Sequence, residues 1–429
     1  MKSLLRAVAA SLFAALSRAV IRKYHPTVVM VTGSVGKTST KDAVAAALSP
    51  RFHLRASEKS YNSEFGVPLT ILGSENPWDD LLAWFRVLGD ALSLLVFPNH
   101  YPKLLVLEVG ADRPGDLQHI LEIATPDAVV VTKLPDVPVH VEAYASPADL
   151  RLEEFAPALM LRPGAPLVVC ADDAYATELA GRILARVSTY GFSEGADVRI
   201  VNPETLIEEK LFKGMRADLA IGSERSETIV RGALGRQQLY APAAALALAE
   251  ALGMGAEEAL NGLTAYVPPP GRARLLEGKN HSVIIDDTYN ASPAAAEEVL
   301  RSLELIPGVK RRVAILGDML ELGRFSRAEH ERLGKRAAEC VDVVIGVGTR
   351  ATAIVEAAKA AGKGEKEALH FASAAEAAEA LRDFPRAADL LLVKGSQGMR
   401  MERVVASLLR DPSDVTLLVR QEKEWKKRA

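Results

Sequence analysis

The chain has 429 residues, 49% apolar and 25% charged, with a formal net charge of −3. That is too long for one ordinary core, so two or three domains are expected. The composition is that of a soluble globular protein, and nothing in the overall charge suggests nucleic acid as a partner.

Residues 1–23 read as a helix, with Leu5, Val8, Leu12, Leu16 and Val20 at helical spacing and Lys2, Arg6, Arg18, Arg22 and Lys23 making it basic. The uncharged run from Ala7 to Ser17 is too short to span a bilayer. Its order of basic, apolar and small residues also fits a signal peptide, but the nucleotide loop that follows points to the cytoplasm. The preferred reading is a helix packed on the next domain, with a membrane-surface helix as the alternative.

The stretch VVMVTGSVGKTST (28–40) runs from a β-rich segment through a glycine-bounded loop into a helix-prone run. This is the layout of a phosphate-binding loop in the short form G-x-x-G-K-T. Gly33 and Gly36 let backbone N–H groups turn toward an anion, and Ser34 and Ser39 belong to the same loop. The next helix adds its N-terminal dipole. Lys37 would reach the outer phosphates, and the Thr38 hydroxyl would sit on Mg²⁺.

Segment 78–97 is rich in large apolar residues, and its charged residues exclude a membrane span. It reads as a buried helix and a partner for the N-terminal one. Buried strands follow at 103–110, 127–134 and 166–173, alternating with helices, which implies a mostly parallel, doubly wound sheet. From 198 to 232 the pattern turns antiparallel, and 239–254 is a strong helix. PPPG (268–271) is a hinge, after which four more strands alternate with helices. Cys170 and Cys340 match no metal or redox spacing and read as small core residues.

Ligands of open α/β sheets bind beyond the carboxyl ends of strands. Glu108, Asp286, Asp287, Asp318 and Lys394 fall at such ends, which suggests an Mg-nucleotide site shared by two domains. Thr38 and Glu108 are the first choices for Mg²⁺, and His140, in a loop after a strand, is a candidate for a second ion.

At these residues the chain resembles the Mur ligases, ATP-dependent amide ligases of peptidoglycan precursor synthesis, and within them the D-alanyl-D-alanine-adding branch. The resemblance is carried by TGSVGKTS, YNSEFGVPLT (61–70), LEVGADRPGD (107–116), GR (271–272), DDTYNASP (286–293), GDMLELG (317–323) with His330, and VKGSQGMRM (393–401). It implies a P-loop-type ATPase domain (26–267) with a mostly parallel sheet, and a Rossmann-like α/β domain (268–429) for the amine substrate. It also implies that ATP converts a muramoyl-peptide carboxylate to an acyl phosphate, which the amine of a D-Ala-D-Ala dipeptide attacks. By motif, Glu108 and His140 would hold the second Mg²⁺. Gln238, Arg272, Asp287, Tyr289 and Asn290 would lie at the nucleotide. Lys394 and Ser396 would face the amine, and Asn62 the acceptor. Lys37, Glu108, His140 and Lys394 are the catalytic candidates. A cytoplasmic monomer is expected.

Four departures stand against that pattern. The family's UDP-gripping N-terminal domain is represented here only by the helix at 1–23, so its contacts are expected to be missing or supplied by a partner. Lys133 replaces an Asn, and is read as neutralising phosphate charge or as solvated. Glu154 stands fourteen residues after His140, where the family has a carbamylated lysine. It is expected to offer its carboxylate to Mg²⁺ directly, against the alternative of a solvated helix glutamate beside Glu153. Gln237-Gln238 replaces a His-Asn pair and keeps amide hydrogen bonding possible. Two other functions stay open: ligation to a different, lipid-linked acceptor, and a non-catalytic nucleotide-binding relative.

Overall fold

A computed structural model describes residues 2–58, 60, 62–78 and 80–426. Tyr61 of the acceptor-loop motif lies outside the described residues, as do the side chains of Lys2, Leu5, Arg6 and Val8.

Two sheets organise the molecule. The larger has nine strands. Its parallel part runs, in spatial order, Leu54–Ala56, Leu104–Glu108, Thr27–Thr32, Ala128–Val131, Pro166–Cys170, Arg186–Gly191 and Val198–Glu208. Leu211–Ile221 and Glu224–Arg231 then extend it as an antiparallel meander. The central strands read as nearly unbroken Val/Leu/Ile runs because helices cover both faces, and in Thr27–Thr32 every residue after the first is buried. Strand order reverses around Thr27–Thr32, whose neighbours are Leu104–Glu108 and Ala128–Val131. Such a reversal opens a crevice at the carboxyl ends, and the phosphate loop leaves the sheet there.

The second sheet has six strands, in the order Arg274–Glu277, Val283–Asp287, Asp389–Lys394, Arg311–Gly317, Val343–Val347 and Ala368–Phe371. All pairs but the first are parallel. Asp287 and Lys394 are register partners at the carboxyl ends of adjacent strands, so two oppositely charged residues emerge side by side.

The N-terminal helix spans Lys2–Tyr24 and packs on helices Gly66–Leu72 and Leu81–Val96. Phe13, Leu16 and Val20 face inward, and Phe13 meets Trp84 with ring centroids 5.3 Å apart. The helix is therefore packed on the domain that follows it. Helix Leu81–Val96 is its partner but is not buried as expected. Val87, Ala91 and Leu94 point inward, whereas Leu82, Phe85, Leu92 and Val96 are exposed. No helix among the described residues is long and apolar enough to cross a membrane. Both cysteines are unpaired and buried.

Candidate functional site

The phosphate loop is shaped by two glycines. Gly33 has φ +112°, and a Cβ there would lie 2.4 Å from the Thr132 hydroxyl oxygen, so a side chain is excluded twice over. Gly36 has φ +93° with open space around it and leads directly into helix Lys37–Leu48. The Ser34 and Val35 N–H groups donate to the Lys133 carbonyl, tying the loop to the end of the adjacent strand.

A cavity of about 630 Å³ opens over this loop. From the large sheet it is lined by Ser34, Gly36, Lys37, Thr38, Ser39 and Glu108, with Asn62, Lys133, His140, Gln237 and Gln238 around them. The second sheet brings Asp287, Tyr289, Asn290, Lys394 and Ser396, and Arg272 lies just before it. Gly33 and Glu154 are not on its wall.

The contacts form two groups. In the first, the Thr38 hydroxyl lies 3.2 Å from Glu108 Oε1 and 2.9 Å from the Ser60 hydroxyl. The Arg272 guanidinium donates to Thr38 Oγ1 at 2.9 Å and stacks over the Tyr289 ring. Burial pushes the Glu108 carboxyl above its usual range, opposed by the charges of Lys41, Lys37 and Arg272. Lys37 donates to the Gly33 carbonyl. Glu154 is buried, accepts from the Ser34 hydroxyl and lies 3.8 Å from Lys37 Nζ. It is therefore no solvated helix glutamate. Its neighbour Glu153 accepts from the Gly115 and Leu117 N–H groups at the start of helix Asp116–Leu121.

In the second group, Lys394 Nζ lies 2.6 Å from Asp287 and donates to the Asn290 carbonyl at 3.0 Å. Asp287 also accepts from the Ala273 N–H. Arg420 braces the turn beyond by donating to the Thr288 and Tyr289 carbonyls. The Ser396 hydroxyl accepts from the Leu320 N–H.

The other strand-end carboxylates do structural work. Asp286 accepts from the Thr288 backbone and hydroxyl, and burial raises its pKa to about 6. Asp318 accepts from the Ala351 N–H. His330 is buried, with Nε2 accepting from the Met319 N–H and Nδ1 against the Ser326 carbonyl, so it holds the GDMLELG turn together.

His140 pairs with carboxylates. Its Nδ1 lies 2.8 Å from Glu321, in that turn of the second unit, and its Nε2 lies 3.4 Å from Asp112. Burial opposes the imidazolium, but the Glu321 hydrogen bond and the Asp112 charge prevail, so its pKa is raised. Among the described residues no group of three or more His, Cys, Asp or Glu is poised to hold a metal. Thr38 and Glu108 are together, whereas His140 and Glu154 are engaged elsewhere.

Lys133, on the cavity wall, is not simply solvated. It lies 2.8 Å from Glu298, on helix Pro293–Glu304, and 4.0 Å from the centroid of the Tyr240 ring. Gln237 accepts from the Ser302 hydroxyl on the same helix, while Gln238 donates to the Arg272 carbonyl. Sequence reasoning did not single out Glu298, Tyr240, Asp112 or Glu321. The last two lie inside quoted motifs, but the first two carry no local signal.

Two family models match the chain: Mur ligase middle domain over residues 31–249, and Mur ligase, glutamate ligase domain over residues 271–397. The UDP-N-acetylmuramoyl-tripeptide--D-alanyl-D-alanine ligase of Mycobacterium tuberculosis is 30% identical over 90% of this chain and 73% of its own length. The enzyme of that name from Bacillus subtilis is 25% identical over 92% of this chain and 79% of its own. The crystal structure of MurF ligase from Thermotoga maritima in complex with ADP superposes with a TM-score of 0.75 at 26% identity, covering 98% of this chain and 85% of that one.

Proposed function

The chain belongs to the Mur ligase family, and from that premise we propose that it is an ATP-dependent amide ligase of peptidoglycan precursor synthesis, joining the amine of D-Ala-D-Ala to a muramoyl-peptide carboxylate in the cytoplasm. The observation that carries this reading is one cavity. It is walled on one side by the phosphate loop with Thr38 and Glu108, and on the other by Arg272 and the Asp287–Lys394 pair. In this reading residues 26–267 form the nucleotide unit and 268–429 the amine unit.

The site fits a divalent cation. Glu108 Oε2 is buried and has no hydrogen-bond partner among the described residues, and the Thr38 hydroxyl stands beside the same carboxylate. Thr38 and Glu108 would hold Mg²⁺, which supplies charge neutralisation at the phosphates. Glu154 would add a carboxylate beneath the loop, and His140 would join only on leaving Glu321.

The chemistry divides into two displacements. The acceptor carboxylate takes the γ-phosphoryl group of ATP, releasing ADP. The amine nitrogen then attacks the acyl carbon and loses a proton, and phosphate leaves. Lys37 and Arg272 would be the cations that spread phosphoryl charge. The Asp287–Lys394 pair orients the loop of Tyr289 and Asn290, and Asn62 faces the acceptor side. Closure of the two units over the cavity would keep water from the activated carboxylate.

The test is a mass-spectrometric ligation assay with ATP, Mg²⁺, UDP-N-acetylmuramoyl-tripeptide and D-Ala-D-Ala. The expected product is the acceptor plus the dipeptide minus water, absent with Lys37→Ala. ADP binding without product, from this acceptor or a lipid-linked one, overturns the reading.

A further inference from the structure

The outer face of helix Leu81–Val96 carries a stripe that the fold leaves uncovered. Leu82, Phe85, Leu92 and Val96 recur at spacings of three, seven and four residues, with Gly89 between them, and Phe97 follows. Leu82, Phe85 and Val96 are about 70% exposed, Phe97 62% and Leu92 48%. Scattered exposed apolar residues are ordinary, but four on one face of one helix, with Phe97 just beyond its end, are a contact surface.

The charge beside the stripe identifies what it meets. The N-terminal helix Lys2–Tyr24, packed alongside, contains five basic residues and no acidic one. Its basic end is fastened to the far end of the stripe. The Lys23 ammonium donates to the carbonyls of Leu94 and Phe97 at 2.8 Å each, and the Tyr24 hydroxyl donates to Leu94 at 2.7 Å. Arg22, the residue before Lys23, is exposed, in a chain whose overall charge is negative. A second copy of the chain would bring the same cations against themselves. An anionic bilayer offers an acyl boundary to the stripe and headgroup charge to the arginines. At 16 residues the helix is about 24 Å long, suited to lying in the interface rather than crossing it.

We propose that helix Leu81–Val96, with the basic end of the N-terminal helix, docks the protein on an anionic lipid surface. The docked face is linked to the cavity. Trp84 packs edge-on against Phe65 with centroids 5.8 Å apart, and Phe65 closes the loop from which Ser60 and Asn62 reach the cavity wall. The acceptor side of the site thus shares an aromatic contact with the membrane-facing helix.

Vesicle co-sedimentation of the intact chain tests this, with phosphatidylcholine alone and phosphatidylcholine mixed with phosphatidylglycerol. Binding is expected to the anionic vesicles only and to be lost in high salt. Phe85→Asp with Leu92→Asp should weaken it by more than about tenfold while ADP binding is unchanged. Arg22→Glu, at an exposed position, should weaken it by about fivefold or more and covers the case in which the double variant does not fold. The proposal is overturned by failure to bind anionic vesicles at low salt, or by equal binding of the variants. A dimer in sedimentation velocity that Phe85→Asp dissolves also overturns it, since a second copy then occupies the stripe.

Discussion

Lys133 Nζ lies 2.8 Å from a Glu298 carboxylate oxygen, bridging the end of a strand in the nine-stranded sheet to a helix of the second unit, at the cavity wall. Both side chains are about one-fifth exposed, so the attraction is only partly screened. The contact ties the two units together where the nucleotide is expected. A double-mutant cycle of Lys133→Ala and Glu298→Ala, read by unfolding free energy, should give a coupling of about 0.5–1 kcal/mol. A coupling near zero would mean that the pair is not made in solution.

The loop glycines differ in what they exclude. Gly33→Ala and Gly36→Ala both place a side chain at positive φ, costing about 1–3 kcal/mol, but only Gly33 also meets a neighbour, the Thr132 hydroxyl. Gly33→Ala should therefore lower the melting temperature more than Gly36→Ala, and ADP titration should show weaker binding for both. Equal melting temperatures would contradict the close approach.

Glu154 has two possible duties, as a carboxylate for Mg²⁺ or as the anchor of Ser34 and Lys37. If it serves the metal, Glu154→Gln raises the Mg²⁺ concentration for half-maximal turnover by about tenfold or more. If it only anchors the loop, the KM for ATP rises and the Mg²⁺ dependence stays put. We expect the first outcome, and an unchanged Mg²⁺ titration would refute it.

The His140–Glu321 contact gives a pH dependence with a definite sign. The His140 pKa is raised above its ordinary 6.5, so its contribution is complete below about pH 6.5 and fades as pH rises through the raised value. The Glu321 pKa is lowered below 4.5 by its bond to His140, so its contribution is present above pH 4.5 and fades as pH falls through the lowered value. The contact is thus strongest between the two. An NMR titration of the His140 imidazole should have its midpoint above 6.5 and move down in Glu321→Gln. A midpoint indifferent to that substitution would rule the pairing out.

Lys394 is 3% exposed and Asp287 is its carboxylate. Asp287→Asn leaves a buried ammonium without its counter-charge and should cost about 3 kcal/mol or more, measured by urea unfolding. A loss below about 1 kcal/mol would place the pair in water.

Much of this molecule is local and was readable in the chain. Apolar runs marked the central strands because residues buried on both faces need no alternation. The Gly–Lys–Thr loop announced an anion site because its backbone conformation depends on its own residues. The resemblance assigned motif residues to roles, and most of them line one cavity. The strands Leu54–Ala56, Arg186–Gly191, Arg274–Glu277 and Ala368–Phe371 escaped notice. Three are sheet edges of three or four residues, and Arg186–Gly191 lies inside its sheet but begins with exposed residues, so each is defined by the neighbour it bonds to rather than by its own pattern.

What the tertiary structure alone decided is which charges meet. Lys133 and Glu298 are 165 residues apart, and nothing local distinguishes either from a solvated side chain. Glu154 followed by sequence is one of two adjacent helix glutamates, and only the packing of that helix beneath the phosphate loop buries it against Lys37 and Ser34. The same holds for helix Leu81–Val96, whose composition reads as core. Its neighbours cover one face and leave the other to solvent. A sequence specifies which surfaces need partners, whereas burial and charge pairing depend on distances between segments that only the folded chain sets.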